Sequence, residues 1–592
     1  MKVSDYIINF IENKWTEFIF SVSGWMITNL EDSIFLNKKI KLISVKHEQA
    51  WAFAAEWYAK STWKTWIAMW TSWPWATNLV TWIASAFFDS TPVIYITGQV
   101  NTHEITINSK VRQTGFQETD IVSITQSITK FSHQIKDVNE IRYILEKSFF
   151  LANNWRKWPI LIDIPMNIQK IQIDANNLIS YFDSEEYKKL INSNICEKID
   201  YNLIIEKLKE SKKPIILVWW WSKYINNKKI INSISNNYNI PIVSSLMWLD
   251  VINYDNNNYI WMIWSYWNRE ANIAIMNSDL IIVLWSRLDI RQTWALKDKF
   301  IENKIIIHID IDKNELWYNI KDTQIKINED IEIFLNNLYS ELTENNIYLN
   351  FSEWKNKLLM IKNVLYKEIK IKDNWYNNPS IIFSELSKII SKSKIIINDV
   401  WQNQMISSTS FKLYWDDQIL NSWWLWSMWF SIPASIWAAF WNKDSYIICI
   451  NWDWWFQMNI QELETIIHHN IPILIIILNN NSLWMVREFQ DSYFEWRNIW
   501  TVIWYSCPNL MKLSKAYWLD YYKIWKWNYL NTLIKCSNIN KPTILEILQS
   551  PKSSITKVMY WNNIDNQSPE LSNKLKEKIK TILNKNEKLL QK

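Results

Sequence analysis

The chemically richest stretch of the chain is Asn451-Trp452-Asp453-Trp454-Trp455, answered by Asn480 twenty-seven residues after Asp453. A carboxylate and an amide oxygen are hard donors. Mg²⁺ takes few such protein ligands when phosphate oxygens fill the rest of its shell. Both residues follow apolar runs that read as buried strands, and the Asp453 turn leads into a helix-like stretch whose first N–H groups would attract an anion. An Asp before a helix is equally often a simple cap. The second donor, at this spacing behind a second buried strand, favours the ligand reading.

Phosphate turns need backbone that approaches closely or adopts positive φ, which glycine supplies and tryptophan does not. The chain has 43 Trp and only 3 Gly, whereas a soluble domain uses about 7% glycine. The tryptophans stand where turn glycines belong, as in Trp73-Pro74-Trp75, Trp219-Trp220-Trp221 and Trp452 to Trp455. We read most of them as glycine in the natural protein, the outcome expected of a UGA codon that the organism decodes as glycine. Tryptophan in every such turn would overpack cores and strain loops. Residues keep their printed names below.

These turns require strands and helices to hold them. The pattern predicts α/β architecture with three doubly wound parallel-sheet domains. The first block, 1–185, has strands at Lys41–Lys46, Ile67–Thr71, Pro92–Thr97 and Pro159–Pro165, with a helix at Glu48–Lys60. A polar stretch, Ile171–Ile199, reads as a linker. The second block, 195–345, has strands at Pro214–Val218, Leu280–Leu284 and Ile305–Ile309. The third, 370–560, has strands at Lys394–Ile397, Tyr446–Ile450 and Ile471–Leu478. The first and third blocks could be related units, and the Lys-rich tail, 565–592, reads as a solvated helix. A net charge of +5 over 592 residues argues against nucleic acid or membrane partners. No apolar run is long enough to span a bilayer. Four widely spaced cysteines read as reduced thiols, and the expected location is the cytoplasm.

With tryptophan restored to glycine, 451–455 reads N-G-D-G-G and resembles the thiamine diphosphate signature of acetolactate synthases, pyruvate oxidases and benzoylformate decarboxylases. Gln457-Met458-Asn459, Gln461-Glu462-Leu463, Ser422–Met428, Asp399-Val400-Trp401-Gln402 and Met485-Val486-Arg487 resemble the acetolactate synthase family in particular. So do His47-Glu48-Gln49 and the loop Thr71–Asn78, and the likeness covers about residues 1 to 560. The resemblance implies thiamine diphosphate and Mg²⁺. Asp453, Asn480 and the Ser482 carbonyl would ligate the metal. Trp73, Pro74, Asn78, Gln402, Met428, Trp452, Trp454, Trp455 and Met485 would hold the cofactor, Met428 propping its bent form. Glu48 would meet N1′ of the aminopyrimidine and promote loss of the thiazolium C2 proton. Phe116 and Gln117 would line the substrate end. The cofactor would lie between the first block of one subunit and the third of another, making a homodimer or tetramer, with a small regulatory subunit as a further possible partner.

The second block resembles the family's FAD-binding domain. Trp219 to Ser222 restores to G-G-G-S, and Trp220, Arg287 and Asp310 are the flavin-site candidates; a glycine-rich turn alone is a weak signal. Two positions depart from the family. Phe489 replaces the Trp that favours 2-ketobutyrate as acceptor, and Met166 replaces a channel-mouth Lys. The segments Arg112–Gln117 and Phe489–Arg497 resemble a branch associated with surface-sugar pathways. The reading is decarboxylation of pyruvate and transfer of the two-carbon unit to a second 2-keto acid, giving 2-acetolactate. A keto-sugar acceptor is the alternative. A silent regulatory homologue is a third, opposed by the intact Glu48, Asp453 and Asn480.

Overall fold

A computed structural model describes the chain except residues 15, 45, 63, 73, 107–110, 194–197, 220–224, 265–267, 295, 319–323, 367–377, 415, 525–528, 551–556, 559–561 and 585–592. Trp73 and Trp220 therefore lie outside the described residues, as does the side chain of Glu48.

Three six-stranded parallel sheets follow one another along the chain. The first holds β1 (Phe18–Val22), β2 (Lys41–Ser44), β3 (Trp66–Trp70), β4 (Val93–Gln99), β5 (Phe131–Gln134) and β6 (Ile160–Pro165), in the order 2-1-3-4-6-5. The second holds β7 (Pro214–Val218), β8 (Ile242–Ser244), β9 (Tyr259–Met262), β10 (Leu280–Leu284), β11 (Ile305–Asp310) and β12 (Gln324–Asn328), in the order 12-11-10-7-8-9. The third holds β13 (Lys394–Asn398), β14 (Gln418–Leu420), β15 (Tyr446–Trp452), β16 (Ile473–Asn479), β17 (Asp520–Ile524) and β18 (Thr543–Leu548), in the order 14-13-15-16-18-17. The first and third sheets thus share one winding, as the sequence suggested. Helices cover both faces, so central strands such as β15 and β16 are buried along their whole length. This is why they read as unbroken Ile/Leu runs rather than alternating ones.

Two expectations are corrected. Ile171–Ile199 is no bare linker: it carries the helix Glu185–Ser193, and Tyr181 is fully buried. The tail is not simply solvated, because Ile579 and Ile582 of the helix Asn573–Asn584 pack into the central-domain core with the helix Ser352–Tyr366. That second helix extends the central domain beyond residue 345.

Among the described residues, side chains cross between domains at several places. Arg156 reaches Asp310 at 2.9 Å and Asp312 at 3.0 Å. Asp250 accepts the Ile419 N–H at 3.2 Å. Lys60, buried in the helix Glu48–Thr62, pairs with Glu56 and, at 2.6 Å, with Asp89. Asp89 in turn accepts the N–H groups of Trp423 at 3.2 Å and Trp424 at 3.0 Å.

Among the described non-glycine residues, nineteen have positive φ, and nine of these are tryptophan: Trp155, Trp261, Trp285, Trp294, Trp401, Trp426, Trp429, Trp496 and Trp518. A bulky L-residue is costly there and glycine is not. Backbone geometry therefore supports glycine at these positions.

Candidate active site

In the third sheet the strand order reverses between β13 and β15. The carboxyl ends of strands at such a reversal open a crevice, the usual ligand position in a wound α/β sheet. The chain places Gln402 just beyond β13, Asp453 just beyond β15 and Asn480 just beyond β16.

Asp453 and Asn480 are both buried. One Asp453 carboxylate oxygen accepts the Trp454 N–H at 3.0 Å, and the other accepts the Asn481 N–H at 2.9 Å. This second bond ties the β15 turn to the β16 turn and brings the two expected donors together. Burial pushes the Asp453 carboxyl up to about 6, the response of a carboxylate removed from water. The Asn480 side-chain oxygen accepts the Ser482 N–H at 3.1 Å, while its buried amide nitrogen has no partner among the described residues. A hard dication beside these oxygens would offset the cost of burying the Asp453 charge, so the donor set fits Mg²⁺.

Behind this pole lies a second knot. Asp399 accepts from the Val400 N–H at 2.9 Å, the Trp429 N–H at 3.0 Å and the Ser431 hydroxyl at 3.1 Å. Ser431 receives the Asn451 amide at 2.8 Å, and the Trp429 carbonyl receives the Asn459 amide at 2.8 Å. The loop bearing Met428 is thereby fixed against the segment that bears Asp453. Both polar atoms of the Gln402 side chain are buried without a partner among the described residues. Buried amides are rarely left so, and a ligand in the crevice would satisfy them. Beside Gln402 in the chain, the Trp401 indole packs 5.2 Å from that of Trp455 and 6.3 Å from that of Trp426. Trp401 has φ 69° and Trp426 φ 49°, so glycine at both would relieve the backbone and remove two indoles from this cluster. Trp452, Trp454 and Trp455 sit in the same turn, and Met485 is half-buried beyond Asn480.

In the first domain, the Pro74 carbonyl accepts the Asn78 N–H at 3.3 Å and the Thr77 hydroxyl at 2.6 Å, closing the turn after β3. Glu48 is the first residue of its helix. The preceding turn is held by the C-terminal domain: the Glu462 carboxylate accepts the Lys46 N–H at 3.1 Å. Burial drives this carboxyl up to about 7. Phe116 is 82% exposed, and Gln117 has φ 65°. Their loop is wrapped around Glu118, which accepts the Thr106 hydroxyl at 2.6 Å and the Thr114 N–H at 2.8 Å.

The flavin-site candidates lie elsewhere. Arg287 pairs with Glu315 at 3.0 Å and stacks on Trp424, with its guanidinium 4.5 Å from the ring centre. Asp310 is committed to Arg156. The cleft between them, also lined by Trp219, Trp285 and Trp423, has a volume of about 20 Å³, room for about one water. With the printed indoles it does not fit FAD. Sequence reasoning noted Asp399 and Glu462 within motifs but gave them no role, because their partners lie tens to hundreds of residues away.

Comparison with known proteins meets this geometry. Residues 1–124 match the N-terminal TPP binding domain of thiamine pyrophosphate enzymes, residues 202–338 their central domain, and residues 399–537 their C-terminal TPP binding domain. Fold and site thus define a thiamine pyrophosphate enzyme. The chain is 31% identical to the acetolactate synthase large subunit of Lactococcus lactis, over 93% of both chains. It is 30% identical to a probable acetolactate synthase large subunit of Methanococcus aeolicus, over 94% of both. It is 33% identical to the acetolactate synthase large subunit of Cyanidium caldarium, over 84% of both. The chain belongs to the acetolactate synthase family of thiamine pyrophosphate enzymes.

Proposed function

We propose that the chain converts two molecules of pyruvate to 2-acetolactate and CO₂, using thiamine diphosphate and Mg²⁺. The observation that carries this reading is the Asp453–Asn480 pole, tied by the Asn481 N–H at the switch point of a thiamine-type domain. Bound there, the cofactor supplies the carbanion chemistry that decarboxylation of a 2-keto acid requires.

The chain's own residues do the rest. Asp453, the Asn480 oxygen and the Ser482 carbonyl hold the metal. The backbone at 452, 454 and 455, as glycine, approaches the diphosphate. Gln402, Met428 and Met485 fix the cofactor's middle, and Trp73, Pro74 and Asn78 border its far end. Glu48 exchanges a proton with the aminopyrimidine. The exposed Phe116 and the left-handed Gln117 suit a site closed by a second copy, as do exposed Phe489, Tyr493, Trp500 and Ile503 beyond the metal pole. A homodimer is the working unit in this reading, and the cytoplasm its location. FAD enters only where glycine replaces the indoles at 219 and 285.

The test uses protein made with glycine codons at the recoded positions. Incubation with pyruvate, thiamine diphosphate and Mg²⁺ is expected to yield acetolactate, and Glu48→Gln to lower kcat by roughly 10²–10⁴-fold, the usual worth of a proton-transfer group. Product only when a keto-sugar is added would replace the acceptor, and no turnover with either would end the enzymatic reading. Visible flavin absorbance of the purified protein decides FAD.

A further inference from the structure

The first turn of a helix often closes on itself: a Glu or Gln at its third position reaches back to the N–H of the capping residue. In the helix Glu48–Thr62 the third position is Ala50, which has no such group. The acceptor comes instead from another domain. Glu462 opens the helix Glu462–His468 and is completely buried. One of its oxygens accepts the Lys46 N–H at 3.1 Å across 416 residues of chain, and the carboxylate also accepts from the His47 backbone. Its other oxygen is oriented by the Thr465 hydroxyl at 2.8 Å. The two N–H groups it holds belong to the last two residues before Glu48.

We propose that Glu462 is a positioning residue for Glu48: its carboxylate, delivered from the C-terminal domain, fixes the backbone from which the Glu48 side chain leaves. The inference rests on the reading of Glu48 given above. It gives the acetolactate reaction a built-in dependence on how the two outer domains sit, because the same contact that joins them aims the proton-exchanging group.

The experiment reads hydrogen–deuterium exchange at thiazolium C2 of thiamine diphosphate bound to the full-length protein, by quenched-flow NMR, alongside cofactor affinity and thermal midpoint. Glu48→Gln is expected to slow exchange strongly. Glu462→Ala is expected to slow it by about 10–100-fold, the scale of an ångström-sized misplacement, with cofactor affinity little changed because the metal pole is untouched. Glu462→Gln, whose amide oxygen still accepts an N–H, recovers most of the rate. Wild-type exchange in Glu462→Ala, with only the midpoint lowered, overturns the proposal. Wild-type exchange in Glu48→Gln overturns the reading beneath it, and the proposal falls with it. If Glu462→Ala does not fold, Thr465→Val removes the orienting hydroxyl alone: slowed exchange supports the proposal and an unchanged rate overturns it.

Discussion

Asp163 lies within β6 with no exposure to solvent, and its carboxylate accepts from Thr97 at 2.7 Å, Gln134 at 2.9 Å and Gln99 at 3.0 Å. Burial outweighs these bonds and pushes the carboxyl up to about 6, from an ordinary 3.8. A raised acid favours folding most below its unfolded value. That contribution is lost as pH climbs to the folded value and is constant above it. Asp163→Asn is therefore expected to remove a downward slope in stability between those limits, about 3 kcal/mol in all, seen by comparing thermal midpoints of the two proteins across that range. The pairing of the Asp453 turn with the Asn480 turn was legible in the sequence, because both residues announce themselves by type, spacing and flanking apolar runs. Asp163, Asp399 and Glu462 were not assigned roles, because what makes each matter is a donor brought in by folding.

At the scale of elements, apolar runs translated faithfully: Pro214–Val218 and Leu280–Leu284 are strands with the expected ends. Strands buried on both faces need continuous apolar residues, so the signal is strong. Between blocks it failed. The segment after residue 171 buries Leu178 and Tyr181 without either helical or strand periodicity, and its polar composition concealed the packing. Turns were legible only through the abnormal tryptophans. Trp401 and Trp429 hold φ of 69° and 59°, sparsely populated backbone that costs a residue with a side chain roughly 1–3 kcal/mol. Replacing each by glycine is expected to raise the thermal midpoint. At 401 it should also raise affinity for thiamine diphosphate, measured by calorimetry. Codons that specify tryptophan in the organism's own code at these positions would contradict the glycine reading.

Across the whole molecule, the buried Glu56–Lys60–Asp89 cluster joins the N-terminal domain to the Trp423–Trp424 backbone of the C-terminal one. Removing its single cation would leave two carboxylates buried together. Lys60→Met is therefore expected to cost on the order of 3–5 kcal/mol, seen as a lowered thermal midpoint with earlier proteolysis between the domains. The three-sheet plan itself was legible from alternating strand and helix segments, whereas these inter-domain ties were not, since each joins residues far apart in the chain. The shared strand order of the first and third sheets has a further consequence. Doubling of one ancestral lobe leaves such a repeat, and afterwards each half is free to specialise. The turn after β3, Thr71–Asn78, is then the counterpart of the turn after β15 that bears Asp453. In the proposed reading, one copy grips the anion and the other shapes the opposite end of the ligand.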